Sequence, residues 1–462
     1  MSEVPAGIFR EYDIRGRADV ELTPALVQAL GRAYGTRIRR AGGRQVAVGR
    51  DCRLSGPRIH ADFIAGIRAT GVDVLDIGQG PTPLLYFALH HLPVDGGVIV
   101  TGSHNPPNWN GFKLCQGVKA LYGEAILDLR RAIEADDFDV GEGRLSAVDA
   151  APAWLATATR TLHPGPHPLR VVVDAGSGAG GPLAVALYRA LGFEVHPLYC
   201  EPDGAFPHHH PDPTVEANLV DLKRKVVEIG ADVGLAFDGD ADRLGAVDGR
   251  GRVLYGDQLL LLFARDVLRR HPGATIVGEV KCSQVLYDGV AAAGGQPEMW
   301  KVGHSLIKAR MAETGALLAG EMSGHLFFAD RWFGFDDALY AGARLLEILS
   351  HGGPTLADHL DALPRTVTTP ELRVACPDAA KFAVVERAAA WFQARRPVVD
   401  IDGIRIEFPS GFGLLRPSNT QPVLVMRFEA ATEAELAAAQ GEVYDWLRLH
   451  APEVDLTASV DH

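Results

Sequence analysis

One pattern recurs three times in this 462-residue chain and limits its fold more than any other feature. A short strand rich in β-branched residues is followed by a helix, a glycine and a second strand. The first copy spans strand 46–51, helix 57–69, Gly71 and strand 72–77. The second runs from Val171-Val-Val-Asp through helix 182–191 and Gly192 to strand 193–196. The third runs from strand 275–280 through helix 283–293 and Gly294-Gly295 to strand 297–301. A repeat on this scale marks equivalent folding units. Apolar strands alternating with helices imply parallel β-α-β units.

Each repeat is followed by another apolar strand that ends in a polar, glycine-bearing loop. The loops are Thr101-Gly-Ser103-His104, Asp238-Gly-Asp240-Ala-Asp242-Arg243 and Glu321-Met-Ser323-Gly-His325. Open α/β sheets place chemistry at the carboxyl ends of strands. Domains that face one cleft would therefore bring the three loops together. Beyond about residue 372 the grammar changes to helix 379–393, strands 404–408 and 422–429, and a helix over 432–449. The last opens on a capping box of Thr432 and Glu435. The expected fold class is α/β, with three related mixed α/β domains and a smaller C-terminal α+β lid around a central cleft. Stretches rich in Pro, Gly and Asp at 136–152, 248–251 and 352–370 divide it into units 1–148, 149–251, 252–366 and 367–462.

The length exceeds what one hydrophobic core organises, in keeping with several domains. Hydrophobic residues make up 47% and charged residues 22%, as in a soluble globular protein. The opening residues have neither the basic region nor the long apolar region of a signal peptide. The five cysteines are scattered and form no Cys-x-x-Cys pair, so a reducing cytoplasm is expected, without disulfides or a thiolate metal site. A net charge of −13 argues against nucleic acid and anionic membranes as partners. It leaves room for an anionic small molecule in a locally basic cleft.

In the first loop, Gly102 and the prolines 106 and 107 hold Ser103 rigidly at a sheet edge, with His104 and Lys113 nearby. Alone, such a turn reads more readily as surface, and the two later loops change that reading. The second loop places three carboxylates at alternate positions, an oxygen-only set that suits Mg²⁺. An EF-hand fails here, because its glycine and glutamate positions hold Arg243 and Gly249 and a strand precedes the loop. Arg243 beside such a site can grip a phosphate in bidentate fashion. Arg416-Pro-Ser418-Asn419-Thr420 is a second candidate phosphate clamp. Arg15, on an extended segment where Arg10, Tyr12 and Arg15 alternate with apolar neighbours, is a plausible phosphate contact or a surface salt bridge. Lys301-Val-Gly303-His304-Ser305 opens a helix whose N–H groups can face an anion. The glycines of 174–181 match a dinucleotide fingerprint by letter, but tight strand-to-helix packing explains them as well. His208, His209 and His210 lie between prolines and read as a loop, not a metal site.

Four motifs together resemble the α-D-phosphohexomutase family, and within it the bacterial bifunctional phosphomannomutase/phosphoglucomutase type. They are Thr101-Gly-Ser-His-Asn-Pro106, Asp238-Gly-Asp-Ala-Asp-Arg243, Gly320-Glu-Met-Ser-Gly-His325 and Arg416-Pro-Ser-Asn-Thr420. The resemblance implies that Ser103 carries the transferable phosphoryl group. Asp238, Asp240 and Asp242 would bind Mg²⁺ together with an oxygen on Ser103. Glu321 and Ser323 would hold the sugar's 3- and 4-hydroxyls. Arg416, Ser418, Asn419 and Thr420 would clamp the non-reacting phosphate. Arg15, His104, Lys113, Arg243, His304 and His325 would surround the reaction centre, and Tyr12, Lys281, Lys301 and Gly303 would bind substrate. Ala241 departs from the family's frequent glycine.

The implied activity is interconversion of hexose 1- and 6-phosphates, of glucose and mannose, through a phosphoserine and a hexose 1,6-bisphosphate. Glucose 1,6-bisphosphate is the expected activator, phosphorylated hexoses are the expected partners, and the chain is expected to act as a monomer. Lys113, His304 and His325 all remain candidates for the proton-transferring group. The rival readings are a phosphoglucosamine mutase and a Mg²⁺-dependent sugar phosphatase using the same serine.

Overall fold

The computed structural model describes residues 4–418 and 421–459, with side chains from 457 onward left aside. Three of its four sheets share one wiring. In the first, Gln45–Arg50 pairs in parallel with Asp73–Gln79 on one side and Gly96–Val100 on the other. Gly96–Val100 then pairs antiparallel with Trp109–Gln116. In the second, Arg170–Asp174 lies between Glu194–Leu198 and Val233–Phe237, and the latter pairs antiparallel with Leu244–Asp248. In the third, Thr275–Glu279 lies between Gln296–Trp300 and Leu318–Gly320, which pairs antiparallel with Leu326–Phe328. Ser103, the aspartates 238–242 and Glu321–His325 thus occupy the same connection in each sheet: the turn from the last parallel strand into its antiparallel partner. The strands before these turns are buried throughout, as expected for strands covered on both faces.

The turn 248–251, expected as a domain junction, joins Leu244–Asp248 to Val253–Leu254 within the second sheet. One apolar core runs through all three units. It takes in Leu84, Leu85 and Phe87 of helix Thr82–His91, Val171 and Leu235 of the second sheet, and Leu339 and Leu345 of helix Ala338–Ser350. This shared core sets the first three loops relative to one another.

The C-terminal unit differs from the expected pair of strands. It is a seven-stranded sheet ordered Val398–Val399, Ile404–Phe408, Gly411–Pro417, Val423–Ala430, Leu372–Ala375 and Asp455–Ser459, with Val367–Thr368 pairing beside Val423–Ala430. Strand Gly411–Pro417 carries Gly411 and Gly413 and ends in the Arg416-Pro turn, which hides its alternation. The helices Lys381–Gln393 and Glu433–His450 cover it, the second capped by Thr432 as its sequence suggests. Val280, Phe412 and Leu414 form a small separate core between the third and fourth units.

Candidate active site

The serine loop is held from beneath. Asp51, just past strand Gln45–Arg50, accepts from Thr101 Oγ1 at 2.8 Å and from Gly102 N at 3.2 Å, and Thr101 Oγ1 in turn accepts from Ser103 N at 2.9 Å. Arg53, fully buried, donates to the carbonyls of Ser103, Asn105, Pro106 and Trp109 and pairs with Asp51 at 3.2 Å. So braced, Ser103 takes a left-handed φ of 47°. Only surrounding structure that over-determines it sustains such a conformation in a residue other than glycine.

Ser103 Oγ donates to Asp238 Oδ2 at 2.8 Å and lies 3.2 Å from His104 Nδ1. The two loops also meet through backbone, because any side chain at Gly239 would strike the Ser103 carbonyl. The glycine-rich turn 176–181 backs the acidic loop: Gly178 lies against Gly239, and Gly180 leaves room for the Ala241 methyl. Ala241 itself has a φ of 57°, which accounts for the suitability of glycine there.

Asp238, Asp240 and Asp242 are fully buried and can present one oxygen each within 4.8 Å of one another. Burial and the two neighbouring carboxylates push Asp238 well above the usual carboxylate range. Burial also acts to raise Asp242, but Lys113 and His325 outweigh it and hold that carboxyl well below the range. Lys113 Nζ reaches Asp240 Oδ2 at 2.7 Å and also contacts Asp242 Oδ2. Thr82 Oγ1 donates to Asp240 Oδ2 at 2.5 Å, whereas Asp240 Oδ1 is buried without a hydrogen-bond partner. An orphaned buried carboxylate oxygen in an all-oxygen triad fits a hard divalent cation.

The third loop joins this cluster through His325, which lies 3.2 Å from Asp242 Oδ1 through Nε2 and 2.8 Å from Glu321 Oε2 through Nδ1. Burial opposes its charge, but Asp242 and Glu321 outweigh that and raise it to about 9. Glu321 Oε1 accepts from Gly303 N at 2.7 Å, and Ser323 Oγ lies 3.2 Å from His325 Nδ1. Arg243 Nε lies 3.3 Å from His325 Nε2. Arg15 donates to Asn105 Oδ1 of the serine loop at 2.5 Å and pairs with Asp13. Tyr12 donates to Val302 O at 2.8 Å and edges against the His304 ring. Gly303 has a φ of 127°, and a Cβ there would enter the Tyr12 ring.

On the far side, Arg416 pairs with Asp402 at 3.0 Å and is buried, as are Lys281 and Ser418. Ser418 Oγ accepts from Gln421 N at 3.1 Å. Lys281 pairs with Glu371 at 3.3 Å. Lys301 is exposed. Asn419 and Thr420 lie outside the described residues.

Four family models match the chain in order. They are the phosphoglucomutase/phosphomannomutase α/β/α domains I over residues 6–138, II over 156–251 and III over 255–367, and the C-terminal domain over 371–445. The chain belongs to the phosphoglucomutase/phosphomannomutase family. It is 49% identical to a phosphomannomutase/phosphoglucomutase of Pseudomonas aeruginosa over 94% of both chains. It is 45% identical to a Neisseria gonorrhoeae phosphoglucomutase over 95% of this chain and 96% of that one. A crystal structure of a phosphoglucomutase/phosphomannomutase family protein from Burkholderia thailandensis superposes with a TM-score of 0.92 at 46% identity, covering 98% of this chain and 99% of that one. Members of the phosphoglucomutase/phosphomannomutase family are enzymes of phosphate transfer within a sugar, and so is this chain.

Residues outside the four motifs also shape the site of this phosphoglucomutase/phosphomannomutase chain: Asp51, Arg53 and Thr82, Lys308 and Asp336 beside His304, and Asp402 against Arg416. Only Asp51-Cys-Arg53 carried a signal, a charged pair just past the carboxyl end of a repeat strand. Thr82 meets Asp240 across two units, and Lys308, Asp336 and Asp402 find their partners through the fold, with no motif to mark them.

Proposed function

We propose that this enzyme interconverts the 1- and 6-phosphates of glucose and mannose, with Ser103 as the phosphoryl carrier. The observation that carries the reading is the meeting of Ser103 Oγ with Asp238 at 2.8 Å, across two folding units. The bond from phosphorus to the Ser103 oxygen breaks as one forms to the free sugar hydroxyl, whose proton passes to a basic group. The hexose 1,6-bisphosphate then turns over in the cleft, and its other phosphate returns to Ser103. The sugar oxygen it leaves takes the proton back. Glucose 1,6-bisphosphate, as activator, loads Ser103 in the same way.

Asp238, Asp240 and Asp242 would hold Mg²⁺ with an oxygen on Ser103. Bound there, the ion supplies neutralising charge to the phosphoryl group in flight, the main demand of this chemistry. Lys113, Arg243 and Arg15 add fixed positive charge around the same point. Glu321 and Ser323 read the 3- and 4-hydroxyls, and Arg416 and Ser418 hold the idle phosphate with Lys281 nearby. Nothing in this set is dedicated to C2, so neither epimer is strongly rejected.

Four units of one chain supply the cleft, which supports a monomeric enzyme. Among the described residues no helix is long and apolar enough to cross a membrane. All five cysteines are buried and unpaired, which suits the cytoplasm. The deciding assay is isomer formation from glucose 1-phosphate and mannose 1-phosphate with free phosphate measured in parallel. Isomer without phosphate release supports the mutase, and stoichiometric release would make it a phosphatase. Glucosamine 1-phosphate turned over in preference to both would favour the glucosamine reading.

A further inference from the structure

His304 opens the helix His304–Thr314, and Lys308 lies one turn along it. Lys308 Nζ stands 3.3 Å from His304 Nδ1 and 2.7 Å from Asp336 Oδ1, with its charge 3.9 Å above the Tyr86 ring. Three elements therefore fix the ammonium in place. An ammonium only donates, so the ring nitrogen facing it must offer a lone pair. The neutral ring's one proton then sits on Nε2. That nitrogen is buried and has no hydrogen-bond partner.

The surroundings disfavour a second proton. His304 is buried and sits at the positive end of a helix dipole. Burial, Lys308 and Lys113 all hold its pKa well below the usual imidazole value. Its neighbours are the rings of His325 at 5.4 Å and Tyr12 at 6.4 Å, Lys113 and Asp242 acting through space, and Asp336. Asp336 Oδ2 lies 3.6 Å from Nδ1, beyond hydrogen-bond length, so it does not claim a proton there.

We infer that Lys308 is a positioning residue that locks His304 as a neutral imidazole protonated on Nε2, which faces the cleft as a hydrogen-bond donor and not as the proton acceptor. This inference rests on the mutase reading only for what the donor meets: an oxygen of the sugar or of the phosphoryl group. The accepting role then falls to another group around the Ser103 loop.

The test is ¹⁵N NMR of the full chain with labelled histidine, His304 being assigned by its loss in His304→Gln. Wild type should show a neutral Nε2–H ring from pH 6 to 8.5. An Nδ1–H ring, or protonation with a midpoint at or above 6, would overturn the inference. Lys308→Arg should keep the wild-type spectrum. Lys308→Met should mix the tautomers and raise the His304 midpoint by a pH unit or more. An unchanged ring in a folded Lys308→Met would remove the role assigned to Lys308. If Lys308→Met does not fold, the wild-type spectrum alone decides the ring state, and Lys308→Gln, which keeps a donor but no charge, decides the cause: an unchanged tautomer and midpoint there refute it. Mutase turnover of His304→Gln separates the two readings. Native turnover there would remove His304 from the reaction while leaving its ring state as measured.

Discussion

The guanidinium of Arg53 and the carbonyl oxygen of Ser103 are 2.8 Å apart, and this contact belongs to a fan of four bonds from one buried side chain to the serine loop. Arg53 comes from the segment after the first repeat strand, so the sheet's own frame dictates where Ser103 Oγ points. Gly102 is pressed directly against the same guanidinium, with no room for a side chain.

Arg53→Met should therefore lower turnover by on the order of 100-fold through misplacement of the serine. It also strands Asp51 as a buried charge, at a stability loss of about 3–5 kcal/mol. Arg53→Lys keeps the charge but not the planar fork, and should recover more stability than turnover. Turnover measured beside thermal unfolding checks both. Native turnover in a folded Arg53→Met would show that the fan does not position Ser103.

Ser103→Ala should lose turnover by orders of magnitude while binding sugar phosphate within a few-fold of wild type. Intact mass after incubation with glucose 1,6-bisphosphate should show one added phosphate in wild type and none in the variant. Arg416→Ala should behave in the opposite way, with KM rising about 10- to 100-fold as a charge-assisted bond to phosphate is lost. If Arg416→Ala lowered kcat alone, the clamp assignment would be wrong.

Lys113 serves as counter-ion to Asp240 and Asp242, which bears on metal removal. Chelation should abolish turnover yet shift the unfolding temperature of wild type by only a few degrees. Lys113→Met leaves three buried carboxylates without that charge, so its stability should become strongly dependent on Mg²⁺. Saturation at 100 times Kd adds about 2.7 kcal/mol to a site that binds only the folded state. Equal Mg²⁺ dependence in the two proteins would count against this role.

The repeat and the three loops were legible because both are local. Each strand, glycine and turn carries its own signal, and the wiring that aligns Ser103, Asp238 and Glu321 follows from repeating them. The sheet of the C-terminal unit was not legible. Val398–Val399 and Val367–Thr368 are too short to show a period, and Asp455–Ser459 closes the sheet from the chain's far end. The partners of the site were hidden for a related reason. Thr82 meets Asp240 across 158 positions through the core shared between units, and Arg53 meets Ser103 across 50 within the first sheet's own frame.

Asp266 supplies a test of stability away from the cleft. It is buried on helix Gly256–Arg270, where Arg269 and Arg270 donate to it at 2.8 and 2.6 Å and the fully buried Arg344 lies at 3.4 Å. Burial would raise its pKa, but the arginines outweigh it and bring it from 3.8 to about 2. A carboxyl depressed in the folded state stabilises the fold above its unfolded pKa and loses that contribution as pH falls through the folded value. The shift corresponds to roughly 2 kcal/mol at neutral pH, lost between about pH 4 and pH 2. Asp266→Asn should thus be destabilised by about this much at pH 7, with the gap to wild type closing by pH 2 to 3. Urea unfolding at pH 7, 5 and 3 measures the gap. A difference that stays constant with pH would mean that packing and hydrogen bonds, not the charge of Asp266, hold this arginine cluster together.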